Sequence, residues 1–304
     1  MKPPEGLRGF VAAVGASLAA LSLAFSPGAT RDAAAQVDAP ALWRVDGPRG
    51  RVFLFGSFHA LPVGVKWRTP AVENALNEAE VVVFETDFGG AQDTQASQAL
   101  IARYGRLPPG QTLRSVLPRN IHAELEKTAT DLGVPPPSLE PLRPWLAALT
   151  LGVQFVVKQG FDPNNGVEQQ VIAWAKARGK GLAVLETNEV QVKVFADLTR
   201  EQEIALLTVG LRQAREMPKM LDDMLTAYRK GDLATLERIN VGLDDFPVLR
   251  KRILKDRHEK WLPQIERMIA DGRTHMIIVG DAHLVGPDSV IAMLRAKGVK
   301  VEGP

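Results

Sequence analysis

The sequence predicts an α/β fold: a mixed, mostly buried β-sheet core flanked by helices, with a helical insertion that forms a cap. Three observations carry this. Short apolar runs rich in Val and Ile recur along the chain, at Glu80–Glu85 (EVVVFE), Leu182–Glu186 (LAVLE) and His275–Gly280 (HMIIVG). Near-continuous runs of this kind mark strands of a sheet covered on both faces. Amphipathic stretches lie between them, in the alternation that gives parallel strands and crossover helices. Two long helical regions, about 115–160 and 195–270, interrupt that alternation.

The elements follow in order. Residues 1–35 read as a secretory signal: Lys2 and Arg8, an uncharged run from Phe10 to Phe25, then Ala33-Ala34-Ala35 as a small-residue exit. The apolar run is shorter than the about 20 residues a spanning helix needs. An uncleaved anchor is the alternative. Residues 36–304 then form one exported domain, periplasmic or secreted, with no later stretch able to span a bilayer. Its α/β core occupies about 41–110, 160–190 and 270–304, and the cap the two long helical regions.

Ala41–Val45 and Arg51–Gly56 flank Gly47-Pro48-Arg49-Gly50, a hairpin signal. Thr69-Pro70 opens a helix with Pro at its first position, running to about Ala79. Asn165–Arg178 and Pro287–Lys297 are helical and stop at Gly179 and Gly298. Thr199 with Gln202 forms a capping-box pattern. Val299–Glu302 is expected as a last strand. In the cap, helices are expected over about Asn120–Lys158, broken by prolines, and Thr199–Ile269, broken near Met217-Pro218, Gly231-Asp232 and Phe246-Pro247.

Composition limits the chemistry. With 37 Lys+Arg against 35 Asp+Glu the formal charge is +2, and no basic cluster interleaves with aromatics, so a nucleic-acid partner is not expected. The chain has no Cys. Disulfides, thiolate metal sites and a cysteine nucleophile are excluded, and any metal must be held by His, Asp or Glu.

Ligands of open α/β sheets bind at the carboxyl ends of strands. Two strands there end alike, in Gly-x-x-His: Gly56 to His59 and Gly280 to His283. The glycines are read as permitting a sharp exit from each strand. EVVVFE ends in Glu85, with Asp87 two residues on, and LAVLE ends in Glu186. Two imidazoles and a carboxylate suit a divalent ion such as Mn²⁺, Co²⁺, Fe²⁺ or Zn²⁺. Three protein ligands with an open position would make a bound water acidic. His59, His283 and Glu85 are assigned as ligands, with Glu186 or Asp87 as a supporting carboxylate or general base. Asp281 is read as a turn residue. Of the remaining histidines, His122 is expected to be exposed, His275 lies at the opposite end of its strand, and His258 is placed on a solvated helix face in the charge run 255–260. Trp145, Trp174 and Trp261 are expected in the core.

These segments resemble the TraB/GumN proteins, relatives of the Tiki metalloproteases, over about Ala41–Pro304. ALWRVDGPRGRVFLFGSFHALP resembles the opening strand pair with the first Gly-x-x-His. EVVVFETD resembles the family's Glu-x-Asp strand, through Glu85 and Asp87. LRPWLAALTL resembles its Pro-Trp helix, through Pro144 and Trp145. GVEQQVIAWAKARGKGLAVLET and THMIIVGDAHLVGPDSVIAMLRAKGVKVE resemble its helix–strand and closing segments. The resemblance implies an architecture like that of erythromycin-esterase-like and haem-binding ChaN-like proteins. In the Tiki branch it implies a Mn²⁺ or Co²⁺ peptidase dependent on both histidines and the strand-end glutamate. The family usually has Arg-Asn where this chain has Arg257-His258. Arg257 thereby becomes a candidate clamp for a substrate carboxylate or oxyanion, with a surface ion pair as the alternative, while His258 departs from the pattern. The reading is a metal-dependent hydrolase acting on a peptide or small molecule. A non-catalytic haem-, metal- or peptide-binding protein and a metal-independent, esterase-like hydrolase are the alternatives.

Overall fold

A computed structural model describes residues 39–87, 91–214, 217–240 and 246–304. The signal-peptide reading falls on residues outside these.

The sheet forms as the apolar runs require. Strands β1 (Leu42–Asp46) and β2 (Arg51–Ser57) make the expected hairpin, closed by Gly47 N–H donating to Gly50 O at 2.8 Å. Helix α1 (Pro70–Glu78) leads to β3 (Val81–Phe84), with the Thr69 hydroxyl accepting from Val72 N–H. Strand β4 (Gly181–Val184) follows α7 (Val167–Ala177), and β5 (Thr274–Gly280) precedes α14 (Val290–Ala296). The sheet order is β1-β2-β5-β3-β4, with only β1 antiparallel to its neighbour. The carboxyl ends of β2, β5, β3 and β4 therefore lie along one sheet edge.

Two strand expectations are corrected. Val299–Glu302 is not a strand: Glu302 makes only an isolated antiparallel bridge to Arg44, with bonds of 2.8 and 2.9 Å. LAVLE is not buried on both faces either. As the last strand in the order, β4 leaves Leu182 and Val184 about two-fifths exposed. Such a run has the composition of an interior strand, and only the order of pairing puts it at the edge.

Between β3 and α7 lie α2 (Ala91–Tyr104), which the sequence reading left unassigned, α3 (Leu113–Val116), α4 (Arg119–Asp131), α5 (Pro136–Leu139) and α6 (Pro144–Lys158). Between β4 and β5 lie α8 (Asn188–Ala196), α9 (Arg200–Gln213), α10 (Met217–Lys230), α11 (Leu233–Asn240), α12 (Pro247–Ile253) and α13 (Lys255–Ala270). Thr199 and Gln202 make the capping box at the start of α9. Among the described residues, no helix is long and apolar enough to cross a membrane.

The main apolar cluster lies on the sheet and includes Trp43, Phe55, Trp67 and Trp261. Two further clusters belong to the helical regions, one around Trp145 and Phe195, the other around Leu125, Leu151 and Leu207. Arg143 joins the helical layers: it donates to Tyr104 O at 3.1 Å and Ala196 O at 2.9 Å, and pairs with buried Glu203. A charge buried in this way needs all of those partners.

Candidate functional site

The residues singled out at the strand ends meet. His59 follows β2, Glu85 follows β3, Glu186 lies just beyond β4, and His283 ends a 3-10 turn after β5. The main chain continues the sheet register at this edge, with Glu186 N–H donating to Glu85 O at 2.9 Å. His59, Glu85, Arg257 and His283 are all at least nine-tenths buried.

Both Gly-x-x-His glycines serve space rather than backbone freedom. Gly280 has φ −49° and ψ 139°, open to any L residue. A Cβ there would lie 3.3 Å from Glu85 Oε1, 3.5 Å from His59 Nε2 and 3.6 Å from His283 Cδ2. A Cβ on Gly56 would lie 3.1 Å from the Asp281 Cα. The cradle in front of Gly280 is thus bounded by all three predicted ligands.

Each side chain is held by partners from other elements. Glu85 Oε1 accepts from Gly280 N–H at 2.6 Å, and Oε2 accepts from Arg257 Nη2 at 2.5 Å and Gln191 Nε2 at 3.1 Å. Burial opposes the charge on Glu85, but His283, Arg257 and His59 hold its carboxyl well below the usual range. His59 Nδ1 is 2.8 Å from a carboxylate oxygen of Glu168, which also accepts from Ser57 Oγ. Glu168 reaches this position because the chain around His59 is laced to the start of α7. Val167 N–H donates to Phe58 O at 3.0 Å, and Leu61 and Asp162 exchange bonds of 3.3 and 3.1 Å. Gly166 is required there, since a Cβ would fall 2.2 Å from His59 O.

Burial disfavours a charge on His59, yet Glu168, then Glu85 and Asp281, push it up to about 9. A histidine with a raised folded pKa stabilises the fold fully below its unfolded value of 6.5, and that stability is lost as pH rises through about 9. The contribution is on the order of 3 kcal/mol. His283 and His258 are shifted downward, so above pH 7 they are neutral folded or unfolded. Asp281, pushed up to about 7 by burial against the pull of His59, finishes titrating by about pH 8. In chelator, thermal melts of the wild type should therefore fall between about pH 8 and 10 through His59, and His59→Gln should flatten that limb. Parallel curves would show that His59 carries no proton there.

Arg257 stands inside the predicted trio. Nη1 donates to Ile253 O at 3.2 Å and faces His283 Nε2 at 3.0 Å. Nε donates to Glu186 at 2.9 Å, and Nη2 contacts Glu85 at 2.5 Å and Glu186 at 2.6 Å. All five of its N–H groups are engaged, so its role is to tie Glu85, Glu186 and His283 together. The surface ion-pair alternative is excluded by its burial. Glu186 also accepts from Trp261 Nε1 at 2.9 Å.

Several readings are corrected. His258 is fully buried, not solvated, and its Nε2 lies 2.7 Å from His283 Nδ1. It shares a face with Trp261, Leu262 and Ile265, at spacings of three, four and seven, while charged neighbours at other positions dominate the run. His122 is buried, not exposed, between Glu140 at 2.6 Å and Glu126 at 3.5 Å. Asp281 does sit in a turn, half-buried, but its carboxyl also acts on His59. Asp87 is exposed. The sequence reading missed Glu168, Gln191 and Tyr228, whose hydroxyl donates to Gly56 O at 3.1 Å. Glu168 had a legible signal, since it shares the apolar face of α7 with Val171, Ile172 and Ala175. Trp145, Trp174 and Trp261 are buried as expected.

The donor set suits a divalent ion in chemistry and charge. Glu85, Glu168, Glu186 and Asp281 against Arg257 give a formal charge of −3 once His59 loses its proton, of which a divalent ion offsets two. The trio is not the tightest donor group, however. Among the described residues, His122, Glu126 and Glu140 each bring one donor to within 4.8 Å of the others. Arg114 bonds both of those carboxylates, through Nη2 to Glu126 at 2.9 Å and its main-chain N–H to Glu140 at 3.1 Å. That group is an ion-pair knot joining α3, α4 and the end of α5.

Comparison with known proteins places the chain. It is 23% identical over 256 residues to the uncharacterized protein YbaP of Escherichia coli (strain K12), covering 82% of this chain and 89% of that protein. It is 23% identical over 227 residues to YbaP of Shigella flexneri, covering 72% and 78%. No solved structure matches it. The TraB/PrgY/gumN family matches residues 41–303, the hairpin through the last residues of the sheet bridge, and the chain belongs to that family.

Proposed function

We propose that this protein is an exported hydrolase dependent on a divalent metal and acting on amide bonds, with His59, His283 and Glu85 holding the ion. The convergence of these three side chains on the Gly280 cradle carries the reading. Mn²⁺ or Co²⁺ is the proposed metal, with Zn²⁺ or Fe²⁺ compatible with the same donors. When bound, such an ion supplies Lewis-acid polarisation and a source of nucleophile at neutral pH. The chain's own residues do the rest. Glu168 orients His59 through Nδ1, leaving Nε2 directed to the cradle. Arg257 holds Glu85 charged in a buried place and pairs with Glu186, which in turn accepts from Trp261 Nε1. With all its donors engaged, Arg257 is assigned to this positioning role rather than to a substrate clamp.

The test is cleavage of an unstructured peptide with Mn²⁺ or Co²⁺ added. His59→Ala and His283→Ala should each abolish it, and metal analysis of the purified variants should show the ion lost. Full metal-stimulated activity in both variants would overturn the assignment.

A second reading is favoured by one observation: the Arg257 guanidinium faces Nε2 of His283. In that reading the His59–Glu168 pair acts as a metal-free general base, as in an esterase-like hydrolase. Activity that survives exhaustive chelation and is lost in Glu168→Gln would select it.

A further inference from the structure

The hydrogen-bond partners at either end of a buried chain determine where its protons sit. Asp288 O lies 2.7 Å from His258 Nδ1, His258 Nε2 lies 2.7 Å from His283 Nδ1, and His283 Nε2 lies 3.0 Å from Arg257 Nη1. A carbonyl oxygen can only accept, so Nδ1 of His258 carries hydrogen. A guanidinium can only donate, and Arg257 Nη1 at 3.0 Å lies nearer than the competing acceptor Glu85 Oε1 at 3.5 Å, so Nε2 of His283 presents its lone pair. One proton remains for the gap between the rings. Placing it on His258 would leave His283 with no ring proton, so it belongs to His283 Nδ1.

We propose that His258 is a positioning residue that locks His283 in the Nδ1-protonated form, keeping the Nε2 lone pair at the site. The assignment rests on the proposed role of His283. The surroundings hold the relay rigid. The two rings are nearly perpendicular, at 76° and 5.0 Å between centroids, and Trp261 packs 4.8 Å from the His283 ring. Asp288 is fixed by Arg250, whose Nη1 is 2.5 Å from Oδ2. His258 is fully buried, so water does not take its place. A partner that fixes the tautomer and orientation of a ligating imidazole typically contributes 10–100-fold in metal affinity.

The experiment uses the full chain, ¹⁵N-labelled and metal-free, with long-range ¹H–¹⁵N correlation spectra of the imidazoles and Mn²⁺ or Co²⁺ titration alongside. The wild type should show His283 protonated at Nδ1 and unprotonated at Nε2. His258→Leu should turn that signal into a tautomer mixture and weaken metal binding about 10–100-fold, while His258→Asn, whose amide oxygen can accept from Nδ1–H, should restore both. A wild-type His283 protonated at Nε2 overturns the proposal, whether or not His258→Leu folds. So does a folded His258→Leu with an unchanged His283 spectrum. If the wild type binds no metal but the spectra change as described, the relay stands and the metal-dependent function falls.

Discussion

Arg257→Met is expected to destabilise the protein by about 3–5 kcal/mol, the range for breaking a buried ion pair from one side. Arg257 is 6% exposed and its guanidinium is the cation shared by Glu85 and Glu186, whose side chains are also buried. Its removal leaves two carboxylates packed together with no counter-ion between them. Burial penalises the charge on Arg257, but the two glutamates outweigh this and raise its pKa. In a chain of this size the loss lowers the melting temperature by about 10 °C. Glu186→Gln added to Arg257→Met should recover part of it, because one of the stranded charges is then gone. The check is a double-mutant cycle by thermal or denaturant unfolding. A single variant that melts with the wild type would mean that the carboxylates do not depend on Arg257.

Gly280→Ala should separate function from folding. Its backbone angles suit alanine, so no left-handed strain is introduced. The new methyl meets Glu85 Oε1 at 3.3 Å and His59 Nε2 at 3.5 Å, in the space the three candidate ligands share. Melting should shift by only a few degrees, while metal uptake and hydrolysis fall by about 100-fold or more, as expected when reacting groups are displaced by a fraction of an ångström to an ångström. Normal metal content and turnover in Gly280→Ala would show that the cradle is not the reaction site. The same substitution at Gly166 meets main chain at 2.2 Å instead of side-chain tips. It should therefore damage the fold as well as the His59 position.

The strand-end pattern was readable because it depends on local sequence. EVVVFE and HMIIVG have the composition of interior strands, the hairpin has its Gly-Pro-x-Gly turn, and whatever follows a parallel strand is delivered to the same edge as its neighbours. That placed His59, Glu85, Glu186 and His283 in one region without knowledge of the strand order. The partners of those residues were harder to see. Glu168 and His258 are polar residues on apolar helix faces, and their spacing from Val171, Ile172, Trp261 and Ile265 was a usable signal that nearby charged residues obscured. Nothing local to LAVLE marks it as an edge strand. Nothing local to Arg257 says that its five donors go to Ile253, His283, Glu85 and Glu186.

The sequence by itself determined the α/β class, the family and the candidate ligands, because hydrophobic periodicity and strand-end residues are properties of short segments. The tertiary structure alone decided which buried polar groups partner one another: Glu168 with His59, Arg257 with Glu85 and Glu186, and His258 with His283. Those pairings join residues from 25 to 172 positions apart. A buried ionisable group takes its charge and proton position from whatever lies within hydrogen-bond reach, and that is set only when the sheet edge and helix α13 have packed together.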